Sequence, residues 1–433
     1  MAYGLKLIAT FMRRILKTSL AGFRAFQPNA RRFLAMSFLM AFAQSVFGLV
    51  FNLYILQLGY TRDFLGSMGA LPSMTLAALA VPLAVICSKI SARKTLLFSL
   101  ALGLVSMAGL SLLTGRTALL FFSVLSGAAG AFLSITSLPL MARSSGEGER
   151  QNLFSCQFAI SMVAAFAGSL AAGWLTGLAA RLFFGGEECA GAYRFTMLSA
   201  CGLLAAAAWP AFKIRESAAA RGSGEGTFSG INLSLALMVF APQLIVGFGA
   251  GMVMPYLNIF FKSGFDLRIA NLGFYMSLMP LAMALGAMIG PWLVKRQGRV
   301  RAIITFQTLS IPFLATMGFS GLLMPTVLAA FVRTMLMNAS WPIYSVFMLS
   351  HFPAAQHSAA SAMYSSCWNL AFSLGARLSG RLQMDFGFTL PFLITIVCYC
   401  LATLFLSRRF LKEDDKEDDK KTVPPAVLKE EME

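Results

Sequence analysis

The sequence predicts an all-α membrane protein of twelve transmembrane helices, arranged as two pseudo-symmetric six-helix halves. Three observations lead there. Of 433 residues, 58% are hydrophobic and only 12% charged, too little polar surface for a soluble chain of this length. Apolar runs recur along nearly the whole chain, each close to the ~20 residues that cross hydrocarbon. Three landmarks of the first half return in the second at a constant offset of 207 residues: Gly66 (GSMGALP) with Gly273 (GFYMSLMP), Lys89 with Arg296, and Gly168 (GSLAAG) with Gly375 (GARLSG).

Residues 1–30 set Lys6, Arg13, Arg14, Lys17 and Arg24 beside an apolar stripe of Leu5, Ile8, Met12, Ile15 and Leu16. No apolar core followed by a small-residue cleavage site marks a signal peptide. The segment reads either as an amphipathic helix on the cytoplasmic membrane face or as a basic tail that sets topology. Spans follow at 33–57, 64–87, 95–114, 118–141, 152–178 and 192–212, a six-helix bundle within 31–212. Residues 213–230, with RESAAARGSGEG, form a polar, flexible cytoplasmic linker. The second bundle, 231–410, has spans at 231–261, 270–293, 301–319, 324–350, 356–380 and 387–407. Pro72, Pro82, Pro280 and Pro342 fall inside spans, where bundled helices tolerate them. Residues 411–433 are a charged, disordered tail, holding nine acids against five lysines from Lys412 onward.

Charge orients the chain. Lys94, Arg143, Arg150, Lys213, Lys295, Arg301, Arg408 and Arg409 flank the segments on one side, with Lys89, Arg93, Arg296 and Arg299. The other side has a thinner set: Arg62, Arg116, Arg181, Arg194, Lys262, Arg268 and Arg381. The positive-inside rule then places both termini in the cytoplasm. The net charge of +17 is spread over these membrane flanks, which argues against a nucleic-acid partner. Seven scattered cysteines and two histidines offer neither a disulfide framework nor a metal centre. No nucleophile–base spacing and no Gly-rich Lys motif for nucleotide is present, so neither an enzyme nor a cofactor is expected.

Acids outside the tail all fall at span ends or in loops, whereas Arg333 and Arg377 lie within spans. Guanidiniums without central acids give a cavity a positive field and a fork for carboxylate or phosphate. Arg333, inside LAAFVRTMLMNASWP (328–342), either meets substrate or braces a helix bend. Asn52, Gln157, Asn258, Asn338 and Asn369 are candidates for the polar lining, and Tyr54, Tyr256 and Trp341 for its aromatic walls. Asp63 and Asp266, beside Arg62 and Arg268, read either as outer-gate ion pairs or as plain turn residues.

The segment GPWLVKRQGRVR (290–301) resembles the short signature of the major facilitator superfamily between the second and third helices of a half. Arg296, Gly298 and Arg299 match it, while Lys295 stands where an acid is expected. The first-half copy, with Lys89 and Arg93, is weaker. Over residues 31–410 the resemblance implies a secondary transporter working by alternating access, with this loop gating its cytoplasmic side. It also implies a monomer in a bacterial or archaeal plasma (inner) membrane, energised by gradients, and an arginine near the path in the fourth helix of a half. Arg333 occupies that helix. The expected cargo is a small or amphipathic organic anion held by Arg333 and Arg377. The alternatives are a broad exporter of hydrophobic compounds and a lipid or lysolipid transporter. The expected partners are that solute and the membrane lipids.

Overall fold

The structure is a computed structural model and describes residues 26–88, 90–143, 150–214 and 231–422. Most of the amphipathic basic segment, Lys89, most of the linker and the end of the tail lie outside the described residues. Thirteen α-helices are described: α1 (Pro28–Gln57), α2 (Arg62–Ser88), α3 (Ala92–Leu112), α4 (Arg116–Arg143), α5 (Arg150–Phe183), α6 (Ala190–Phe212), α7 (Leu233–Val253), α8 (Leu257–Phe265), α9 (Ile269–Gln297), α10 (Arg299–Phe319), α11 (Leu323–Ser350), α12 (His357–Phe386) and α13 (Thr389–Thr422). Helix is the answer that hydrocarbon allows, because each backbone N–H and C=O finds its partner within its own segment.

Local chemistry sets the ends. Pro28 opens α1 at a position where its missing N–H is no loss. Ser91 caps α3 by accepting from Lys94 N at 3.4 Å, and Asn232 caps α7 by accepting from Leu235 N at 3.2 Å. Gly298, the glycine of the cytoplasmic signature, takes φ 80 just before α10, a conformation that suits a residue without Cβ. The seventh span, expected as one helix, is divided: a 3₁₀ turn over Met254–Tyr256 separates α7 from α8, because Pro255 has no N–H to continue the ladder. The last helix continues to Thr422, so the first part of the tail read as disordered is helical. Its sequence places Glu413 before Lys416 and Glu417 before Lys421, the three- and four-residue spacing that favours helix.

Ten helical stretches among the described residues are long and apolar enough to cross a membrane. With α2 and α12 they make the twelve transmembrane helices, α7 and α8 counting as one. Helix α12 is the polar member, with Ser361, Asn369 and Arg377 along it. A polar helix in a membrane bundle is one that faces protein or water rather than lipid.

The chain divides into two compact units, Met1–Gly224 with Phe261–Leu281, and Glu225–Phe260 with Ala282–Glu433. In the first, α1 packs on α5 and α6, and α3 on α4 and α6. In the second, α7 packs on α12 and α13, and α10 on α11 and α13. The pairings are the same, so the repeat read from the sequence is a repeat of contacts. The cut differs from the expected boundary in one respect: residues 261–281 group with the first unit. Gly173 and Gly273 explain this, since a Cβ on Gly273 would stand 2.8 Å from the Gly173 Cα, so that α5 and the start of α9 touch backbone to backbone.

The repeated glycines serve the same purpose in each unit. A Cβ on Gly168 would lie 2.7 Å from the Phe42 carbonyl oxygen, and one on Gly375 only 2.1 Å from that of Phe248. The opposing atoms are backbone and cannot turn aside. Gly375→Ala is therefore expected to cost about 1–3 kcal/mol by overpacking, read as a lowered unfolding temperature of the detergent-solubilised protein. Gly48→Ala, where a Cβ would meet nothing within 4 Å, is expected to leave that temperature unchanged or raise it.

Candidate functional site

Arg333 sits on α11 inside the second unit, only 5% exposed. Its Nη2 donates to the Tyr399 hydroxyl and its Nη1 lies 2.9 Å from the Met254 sulfur. The guanidinium carbon is 5.5 Å from the centre of the Tyr399 ring. Two of its three nitrogens are thus spent on the seventh and last spans, which makes Arg333 a brace of its own bundle. The Nε has no hydrogen-bond partner among the described residues. Arg377, on α12, is half-buried.

The first unit contains a matching device that sequence reasoning missed. Tyr54, fully buried, donates its hydroxyl to the Ser111 carbonyl at 3.1 Å. The same oxygen accepts from Arg194 Nη2 at 3.0 Å and Nε at 3.3 Å. Tyr256 likewise is spent on a helix contact, donating to the Ala376 carbonyl at 2.6 Å. Both tyrosines, expected as walls of a site, lock helices together. Their signal in the sequence was a hydroxyl in a hydrophobic span, which must find a partner when buried.

The amides divide similarly. Asn258 is buried and accepts from Ile259 N at 3.0 Å. Asn338 donates to the Thr334 carbonyl and Asn369 to that of Ser365, each one turn back at 2.8 Å. Gln157 reaches Ser161 at 3.4 Å on its own helix, and Asn52 is half-buried. What α11 and α12 do bring together is an aromatic cluster. Trp341 meets Trp368 edge to face with ring centres 4.6 Å apart, and Tyr364 lies 6.2 Å from Trp341. Trp341 is 39% exposed and Trp368 half-buried, while Tyr364 belongs to the core behind them.

Of the gating candidates, Arg93 caps a helix. Its Nη2 donates to the Phe212 carbonyl at 2.6 Å, while Arg32 donates to the adjacent Lys213 carbonyl. Two guanidiniums thereby satisfy the carbonyl end of α6, the end that favours positive charge. Arg296 stacks over Trp292 at 4.3 Å, both exposed, and Arg299 opens α10 half-buried. Asp63 lies in the first turn of α2, where a carboxylate suits the helix N-terminus. Asp266 takes φ 46 and turns the chain between α8 and α9.

An ion pair in the first unit, Glu188–Lys262, joins the α5–α6 connection to α8 across 74 residues of sequence. Glu188 also accepts from Ile269 N at 2.8 Å and faces the Tyr193 hydroxyl at 3.5 Å, while Lys262 donates to the Leu267 carbonyl at 3.0 Å. Both side chains are 24% exposed. The carboxylate fastens α8 and the start of α9 to α6. Helical spacing gives no hint of this pair, because neither residue has its partner within a turn.

A sequence model of the Major Facilitator Superfamily matches residues 33–242 and again 239–430. No curated protein sequence matches the chain. Among solved structures it is similar to a bacterial homolog of the human lysosomal transporter Spinster in an inward-facing, occupied conformation, with 14% identity over 89% of this chain and 97% of that one and a TM-score of 0.74. It is similar to the nucleoside transporter NupG, with 13% identity over 89% and 99% and a TM-score of 0.69. It is also similar to a D-xylose-proton symporter, with 15% identity over 88% and 95% and a TM-score of 0.66. At these identities the likeness is one of fold.

Glu188 holds more donors than Lys262 has acceptors, and this asymmetry is measurable. Glu188→Ala is expected to lower the unfolding free energy by about 1–3 kcal/mol, since it strands an ammonium and a backbone N–H. Lys262→Ala is expected to cost only about 1 kcal/mol at this partial exposure. The double variant should cost less than the sum of the two, a coupling that a thermal-unfolding cycle reads directly.

Proposed function

This chain belongs to the Major Facilitator Superfamily, whose members are secondary transporters that work by alternating access, not enzymes, and we propose that the solute it moves is a hydrophobic or amphipathic organic molecule. The observation carrying this reading is the exposed indole of Trp341, packed edge to face on the half-buried Trp368 and backed by the buried Tyr364, where α11 meets the polar helix α12. Indole faces bind apolar and aromatic groups through large, rigid contact areas and demand no charge. Asn338 and Asn369 stand on the same two helices, three residues before Trp341 and one after Trp368, and supply amides that orient a polar end. Arg333, in this reading, holds α11 to its neighbours.

A carboxylate or phosphate-bearing solute is the second reading. It is favoured by the unpartnered Arg333 Nε and by the absence of any carboxylate on that guanidinium among the described residues. A buried cation without a counter-charge is costly, and an anionic solute beside it and Arg377 would relieve that cost. Both readings share a multi-pass chain of a bacterial or archaeal inner membrane, acting as a monomer with cytoplasmic termini. The Arg32–Arg93 end of the first unit is then the inner side, where basic residues belong. The Glu188–Lys262 end of the first unit is then the outer side.

Flux into liposomes separates the readings. A neutral amphiphile and its carboxylate analogue are expected to move at similar rates, and Trp341→Ala with Trp368→Ala to lower flux of both about tenfold, the loss of roughly 1.4 kcal/mol of aromatic contact. Strict dependence on the carboxylate, with flux undiminished in the tryptophan variants, would overturn the aromatic site. Arg333→Ala is expected to lower the unfolding free energy by about 2–4 kcal/mol through lost bracing, seen as a lower unfolding temperature with or without solute.

A further inference from the structure

Beside the Glu188–Lys262 pair lies a cavity of about 560 Å³ whose lining runs from the last turns of α5 to the first residues of α9. Its charged edge carries Arg181, in the last turn of α5, and Arg268, the residue before α9. Both are exposed, and neither makes a side-chain hydrogen bond or ion pair among the described residues. The lining acid, Glu188, is already engaged by Lys262 and the Ile269 N–H. The rim therefore holds unspent positive charge. Farther along the same face of α5 the lining is apolar: Leu178 and Trp174, the latter 73% exposed. Trp174 stands seven residues before Arg181, two helical turns or about 10 Å deeper into the membrane. Between them Gly177 leaves the groove open, since a Cβ there would meet only Ile269 Cγ2, at 3.9 Å.

We propose that this groove is a seat for one anionic phospholipid of the leaflet at that end of the bundle. The phosphate lies between Arg181 and Arg268, and an acyl chain runs over Gly177 and Leu178 beside Trp174. Guanidiniums match phosphate oxygens in pairs, and the two arginines stand at the ends of spanning helices, the depth at which headgroups lie. The volume falls in the range of built ligand sites. Occupancy also strengthens the neighbouring joint, because Arg268 adjoins Ile269, whose N–H Glu188 holds. The lipid acts here from the membrane side, whatever solute the transporter moves.

The test uses the purified full-length protein, with phosphatidylglycerol and phosphatidylcholine offered at equal concentration and bound lipid counted by native mass spectrometry. The wild type is expected to retain one phosphatidylglycerol after the surrounding lipids are stripped, and to unfold at a higher temperature with it. Retention is expected to fall roughly tenfold in Arg181→Gln/Arg268→Gln, which removes two charge-assisted contacts. Gly177→Leu fills the groove without touching any charge and favours helix, and is expected to show the same loss while unfolding no earlier than wild type in the absence of lipid. Retention unchanged in both variants would overturn the seat. So would retention lost with the arginines but kept in Gly177→Leu, or stabilisation by inorganic phosphate equal to that by the lipid.

Discussion

The close backbone crossing of helices is the constraint on which the rest of this molecule depends. In hydrocarbon, apolar side chains gain little by meeting each other, so helices associate through van der Waals contact at short range. Gly375 against the Phe248 carbonyl and Gly168 against that of Phe42 bring backbones to distances no Cβ would allow. Gly286, where a Cβ would stand 2.2 Å from the Met335 carbonyl, does the same between α9 and α11. These crossings fix the phase of each helix, and the phase decides which side chains meet.

Once the helices are fixed, the buried polar groups must be satisfied across them. Each unit does so with an arginine and a tyrosine: Arg194 on Tyr54 in the first, Arg333 on Tyr399 in the second. A phenol oxygen accepts the guanidinium without adding a carboxylate to the membrane interior, and the ring face offers further electrostatic attraction. Hydroxyls of Tyr256, Thr395 and Ser379 then satisfy backbone carbonyls on α12 and α7. Polar bonds between helices thus reinforce contacts that glycine first permits.

Function follows from what this bracing leaves over. Arg333, Tyr54 and Tyr256 bond to other helices, whereas Trp341, packed on Trp368, keeps an exposed indole. At one end of the first unit Arg32 and Arg93 close α6. At the other, Glu188 and Lys262 fasten α8 and the start of α9 to it.

The sequence alone determined the membrane-spanning helices and their duplication, because hydrocarbon thickness and the 207-residue recurrence of Gly66, Gly168 and Lys89 are properties of the linear chain. It also marked Gly298 as a residue of the cytoplasmic signature, and the structure adds that it stands at positive φ just before α10. It left Arg333 with two readings and Asp63 and Asp266 with two as well, and it gave no sign of the Glu188–Lys262 ion pair. Pattern along one helix tells which residues share a face, but not which neighbouring helix that face will meet. Tyr399 lies 66 residues from Arg333, and Lys262 lies 74 from Glu188. Only the tertiary structure decided those partners, because helix phase and crossing are set by close packing among segments far apart in sequence.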